Sequence, residues 1–109
     1  MGVLHYGSYV HPFELDDRLV AHLRFVVLEY LRRGDGLALT VMQASPYPPR
    51  QTTIWIHPGI AIRFELDDTE PPALDRDLTK ALAAAASTLD GIMIKDGQLV
   101  ASAGAPGAE

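Results

Sequence analysis

The strongest periodicity in the chain lies between residues 17 and 33. Leu19, Val20, Leu23, Val26, Val27, Tyr30 and Leu31 recur at steps of three and four and form one apolar stripe, the pattern of a helix laid on a core. Asp16 and Asp17 supply an N-cap and first-turn negative charge, Arg32 and Arg33 complement the C-terminal dipole, and Gly34 offers the left-handed residue that ends a helix. The opposite face carries Arg18, His22 and Glu29, yet Phe25 and Leu28 also fall outside the stripe. A second helix is predicted from Asp75 to about Leu89, with Leu78, Ala81, Leu82, Ala85 and Leu89 facing inward and Asp90-Gly91 ending it.

Between and around these helices the pattern changes to short β-type runs. Val3 to Tyr6 and Tyr9 to Leu15 flank Gly7-Ser8 and read as an opening hairpin. Leu37 to Met42 is a strand, stopped by Ser45-Pro46-Tyr47-Pro48-Pro49, because three prolines lack the amide hydrogen that a ladder needs. Thr52 to Ile56 and Ile60 to Leu66 then read as a hairpin turned by His57-Pro58-Gly59. With Ile56 opposite Ile60, the residues Ile54, Ile56, Ile60, Ile62, Phe64 and Leu66 share one face, and Thr53, Trp55, Ala61, Arg63 and Glu65 share the other. Ile92 to Lys95 is a last full strand, and Asp96-Gly97 turns the chain into Gln98 to Ala101. The main elements follow the order β-β-α-β-β-β-α-β, which predicts an α+β fold with a mostly antiparallel sheet and two helices on one face.

A chain of 109 residues has room for one such domain, assigned to residues 1–101, with the Gly/Ala/Pro-rich residues 102–109 as a disordered tail. Nine Lys plus Arg against fourteen Asp plus Glu leave a net charge of −5, so attraction to nucleic-acid phosphates is not built into the surface as a whole. The absence of cysteine excludes disulfides, thiolate catalysis and Cys-based metal sites. Neither a signal peptide nor a run of the ~20 apolar residues that span a bilayer is evident, so a cytoplasmic location away from membranes is expected.

From the first residue to about Lys95 the chain carries a set of short motifs. They are Met1-Gly2 with Tyr6-Gly7, Asp16-Asp17-Arg18 with Ala21-His22-Leu23, Leu31-Arg32-Arg33, Thr52-Thr53 with Trp55 and His57-Pro58, and Pro72-Ala73-Leu74-Asp75-Arg76. In these the chain resembles a group of short actinobacterial proteins, also met in their phages, that are often labelled ATP-dependent DNA ligases. The label has no chemical counterpart here. A nucleotidyl-transferring ligase needs a lysine nucleophile in Lys-x-Asp-Gly and further motifs over a far longer chain. Lys95-Asp96-Gly97 lacks the intervening residue and reads as an Asp-Gly hairpin turn.

The chemistry-bearing residues are scattered. His5, His11, His22 and His57 lie on separate elements without metal-ligand spacing, and Ser8, Ser45, Ser87 and Ser102 lack a nucleophile-elbow context. Asp67, Asp68 and Glu70 read as a solvated loop rather than an acid/base pair, and no phosphate-cradling motif or cofactor signature is present. The cluster that remains is Thr53, Trp55, His57 and Arg63 on one hairpin face, with Arg50 beside it, where an indole and a guanidinium could stack on and neutralise a small anionic or aromatic ligand. The competing use of the same residues is packing or a subunit contact, for which Phe25, Leu28 and Trp55 are the candidates. The expected function is therefore a non-catalytic, homo-oligomeric interaction or binding module. The alternatives are a phage or host accessory protein that binds a nucleotide-like small molecule, and an accessory factor to nucleic-acid enzymes.

Overall fold

Two aspartates start the two helices of the computed structural model, which describes residues 2–7, 12–43, 49–67, 69–70 and 73–100. Asp16 accepts the amide of Arg18 at 3.1 Å and caps α1 (Asp17–Arg32), and Asp75 accepts the amide of Asp77 at 2.9 Å and caps α2 (Arg76–Ala86). Gly34 at φ +83° closes α1 as expected, with its amide on the Leu31 carbonyl and that of Asp35 on Tyr30. The strands are β1 (Gly2–Tyr6), β2 (Phe13–Leu15), β3 (Leu37–Gln43), β4 (Arg50–Ile56), β5 (Ile62–Glu65), β6 (Ile92–Lys95) and β7 (Gln98–Leu99).

The fold is α+β and its pairing mostly antiparallel, but the strands form two sheets instead of one. A three-stranded sheet has the order β2-β1-β5 and a four-stranded sheet the order β4-β3-β6-β7, with β3 and β6 as the parallel pair. The expected hairpin of β4 with β5 does not exist: β4 pairs with β3, and β5 pairs with β1. The segment 57–61 carries the chain from one sheet to the other, and Ile60, assigned to the core face, is exposed there. Alternation within each strand is nonetheless as expected, with Ile54 and Ile56 inward and Thr53 and Trp55 outward, then Ile62 and Phe64 inward and Arg63 and Glu65 outward.

Each sheet carries a helix: α1 packs on β1 and β5, α2 packs on β6 and β3, and the helices pack on each other. One core results, in which Leu19, Val20, Leu23, Val26 and Val27 of α1 meet Leu4, Leu37, Leu39, Ile56, Leu82, Ile92 and Ile94. Tyr30 and Leu31, at the end of the stripe, are half-buried against it. Gly91, at φ +74°, lets β6 start beside β3, since a Cβ there would collide with the Ala38 carbonyl oxygen.

His22 departs from its expected place on the polar face of α1 and is wholly buried. Its Nδ1–H donates to the Arg18 carbonyl at 2.6 Å and its Nε2 accepts the Asp75 amide at 2.7 Å, so the neutral imidazole ties the start of α2 to α1. Arg18 adds an exposed ion pair to Asp75 at 2.8 Å. The second departure is at the end of α2, which stops at Ala86, about one turn early. Ser87 Oγ donates to the Ala84 carbonyl and Thr88 Oγ1 to that of Ala85, so hydroxyls take over the last carbonyls and the chain leaves the helix axis. Leu89, expected inside, is fully exposed, and Ala81 is exposed as well. The expected loop at 45–49 other than Pro49, the run 9–11 of the second strand and the tail 102–109 lie outside the described residues.

Leu23, wholly enclosed at the centre of the α1 stripe, sets the scale of this packing. Leu23→Ala should lower the unfolding free energy by ~2 to 5 kcal/mol in a chemical denaturation curve. His22→Leu keeps an apolar side chain in the same place but strips the Asp75 amide of its acceptor. It should cost roughly 1 to 3 kcal/mol in the same measurement.

Candidate functional site

The face of the four-stranded sheet directed away from the helices is assembled from alternate residues of its strands. The pairing register sets Ala38 beside Trp55, Thr40 beside Thr53 and Met93, and Met42 beside Gln51 and Lys95. Ala38, Met42 and Met93 are half-buried, Thr53, Gln51 and Lys95 are exposed, and Trp55 is 60% exposed. Thr40 is buried among its neighbours and shares a hydrogen bond of 2.7 Å with the Thr53 hydroxyl. Beyond Met42, Pro49, Arg50, Gln51, Gln43 and Lys95 border an open depression of about 400 Å³ that carries two cations.

Trp55 lies here because of what is missing under it. Its indole crosses Gly36, where a Cβ would stand only 2.6 Å from Cζ2, so the ring rests on bare backbone. On the other side, the Tyr6 hydroxyl donates to the Trp55 carbonyl at 2.6 Å and accepts the His57 amide at 3.0 Å. One side chain of β1 thus holds the C-terminal end of β4 at the point where the chain leaves for the other sheet.

The residues singled out in the sequence separate along this division. Thr53 and Trp55 share the exposed face of the four-stranded sheet, and Arg50 is exposed at the far end of the same strand, opposite Gln43. His57 sits in the crossing segment, with Nδ1 accepting the Gly59 amide at 3.0 Å. Arg63 belongs to the three-stranded sheet, beside His5, with its Nε 3.6 Å from Glu65. His5 bonds the same carboxylate at 3.1 Å. The hairpin face on which Trp55 and Arg63 were expected side by side is therefore not formed. Phe25 and Leu28 are exposed on α1 and, with Ala21, Arg24, Arg32 and Leu74, line a groove of about 260 Å³.

His11 and Asp68 fall outside the described residues. Lys95 ends β6, and Asp96 and Gly97, at φ +50° and +84°, form the tight turn into β7. A cleft that the sequence did not reveal, of about 880 Å³, opens between β2, the start of α1 and the β6-β7 turn. Carboxylates of Glu14, Asp16 and Asp96 stand on its rim and Leu15, Leu19 and Val41 on its floor. Its lining comes from several separate segments, each with an ordinary local pattern, so no motif marks it.

Comparison with known proteins shows the family of the chain. The model of a domain of unknown function, DUF7882, matches residues 1–97, and the chain belongs to that family. No curated protein and no solved structure matches the chain. No helix among the described residues is long and apolar enough to cross a membrane.

Trp55 is the sole tryptophan, so fluorescence excited at the red edge, beyond tyrosine absorption, reports on its seat alone. Gly36→Ala should displace the indole and shift the emission maximum, while Lys80→Ala, at an exposed position of α2, should leave the emission unchanged.

Proposed function

We propose that this chain is a non-catalytic interaction module that associates with copies of itself through the Trp55 face of the four-stranded sheet. The observation that supports the reading is the indole, 60% exposed on a face where Ala38, Met42 and Met93 continue the apolar surface. Tryptophan and methionine are enriched at interface cores, and a broad apolar patch on a sheet is stabilised by being covered. The groove around Phe25 and Leu28 is a second apolar surface, but it is narrower and flanked by Arg24, Glu29 and Arg32, the mixture of a solvated helix face.

A ligand stacked on Trp55 and neutralised by Arg63 loses its geometric premise, because the two side chains belong to different sheets and Arg63 is engaged with Glu65. Light scattering should report a mass above 11.9 kDa. Trp55→Ala should weaken the association by at least ~2 kcal/mol, roughly thirtyfold, as expected for an anchoring aromatic, and leave the melting curve of the domain cooperative. A wild-type monomer at high micromolar concentration would overturn the proposal.

A further inference from the structure

We infer that the contact between copies is made by the free edge of β4, joined antiparallel to the β4 of a second copy about a two-fold axis at Thr52. The inference rests on the self-association proposed above and names its geometry.

Among the described residues β4 is bonded along one side only, to β3, and so ends the four-stranded sheet. Its register with β3 runs one-to-one from Arg50 to Ile56 without a bulge, and this stretch holds neither proline nor lysine. Bulges, prolines and lysines are the usual means of keeping an edge from pairing. The Tyr6 bonds show which backbone groups face outward, namely the carbonyl of Trp55 and the amide of His57. By the two-residue period of a strand, the N–H and C=O of Thr53 and Gln51 point the same way. Among the described residues, Tyr6 is the one side chain bonded to this edge.

Few registers suit a second copy. An axis at Thr53 or Ile54 would require the Trp55 or His57 backbone of each chain, which Tyr6 already holds. An axis at Thr52 instead sets Gln51 opposite the second copy's Thr53 and Thr53 opposite its Gln51, and each such pair exchanges both N–H···O bonds. The next position sets Pro49 opposite Trp55. Proline has no amide to offer, and the Trp55 carbonyl is already satisfied by Tyr6, so this mismatch costs nothing.

Side chains and charge agree with this register. Gln51, Thr53 and Trp55 of both copies fall on one continuous face, on which each indole stands across from the second copy's Pro49 and is covered from that side, and Arg50 meets Ile54, with no like charges directly opposed. From residue 36 to residue 64 the sequence contains no Asp or Glu, although the chain as a whole carries fourteen. Two acidic copies can therefore meet here without bringing carboxylates together. The partner is a second copy because an isologous pair satisfies every outward group of this short edge with the edge itself.

Two variants test the geometry. Gln51→Pro removes an amide that serves the second copy and not β3. In sedimentation velocity it should raise the dimer dissociation constant at least tenfold while leaving the melting temperature near that of the wild type. Thr52→Cys, in a chain with no other cysteine, places two thiols across a non-hydrogen-bonded pair whose Cα atoms stand ~4.5 Å apart, within disulfide reach. Mild oxidation should convert it to a covalent dimer far faster than Glu29→Cys on α1. If the wild type dimerises but Thr52→Cys cross-links no faster than Glu29→Cys, edge pairing is overturned and self-association by another surface stands. If the wild type stays monomeric at high micromolar concentration, both readings fall. Should Gln51→Pro fail to fold, the cross-linking rates decide alone.

Discussion

The hydroxyl of Tyr6 holds two backbone groups at the point where the chain leaves one sheet for the other, and the arrangement of the site depends on that clamp. By accepting the His57 amide and donating to the Trp55 carbonyl, it does for the end of β4 what a neighbouring strand would otherwise do. β5 is thereby free to pair with β1, and among the described strands β4 is left bonded to β3 alone. Were β4 and β5 a hairpin, Arg63 would lie beside Trp55 and the edge of β4 would be covered. The split into two sheets exposes the edge and removes the guanidinium from the indole in one step.

The helical side of the molecule depends on a comparable long-range bond. His22 reaches Asp75, 53 residues away, and closes the amide at the start of α2 without a charge in the core. Asp75 is shared among several partners: one carboxylate oxygen caps α2, the other meets Arg18, and its carbonyl receives the amide and hydroxyl of Thr79. With every one of these groups satisfied, α2 is fixed on α1 and the four-stranded sheet is held at a defined position against the core. The exposed face of that sheet is consequently carried by strands packed on the core rather than by loops.

What could be read from the sequence was what depends on near neighbours. The caps at Asp16 and Asp75, the α1 stripe, the Asp96-Gly97 turn and the in-out alternation of β4 and β5 all follow from residues within a few positions of one another. A period of two tells which face a side chain takes but not which strand lies beside it. The run His57-Pro58-Gly59 is as suitable for a crossing between sheets as for a hairpin, and the decision was made by Tyr6, about fifty positions earlier. His22 was misplaced for the same reason: its surroundings along α1 are polar, and the amide that makes its burial tolerable comes from the other helix. Leu89 fits the apolar spacing of α2, yet Ser87 and Thr88 had already ended the helix through their hydroxyls. The 880 Å³ cleft had no local signature at all.

The distribution of charge follows the same division between a held core and an open edge. Asp16, Asp17, Asp75 and Asp77 stand at helix starts, where they complement the helix dipoles, Glu14 and Asp96 stand at the rim of the cleft, and Glu65 lies on the three-stranded sheet. A net charge of −5 repels a second copy at long range, but such repulsion is screened over ~8 Å in physiological salt. Close contact is therefore governed by the charges within the contact itself, and β3, β4 and their connection contribute one cation, Arg50, and no carboxylate. An edge strand with open amides, an apolar indole and no acid is a surface at which the proposed self-association would bring no carboxylates together.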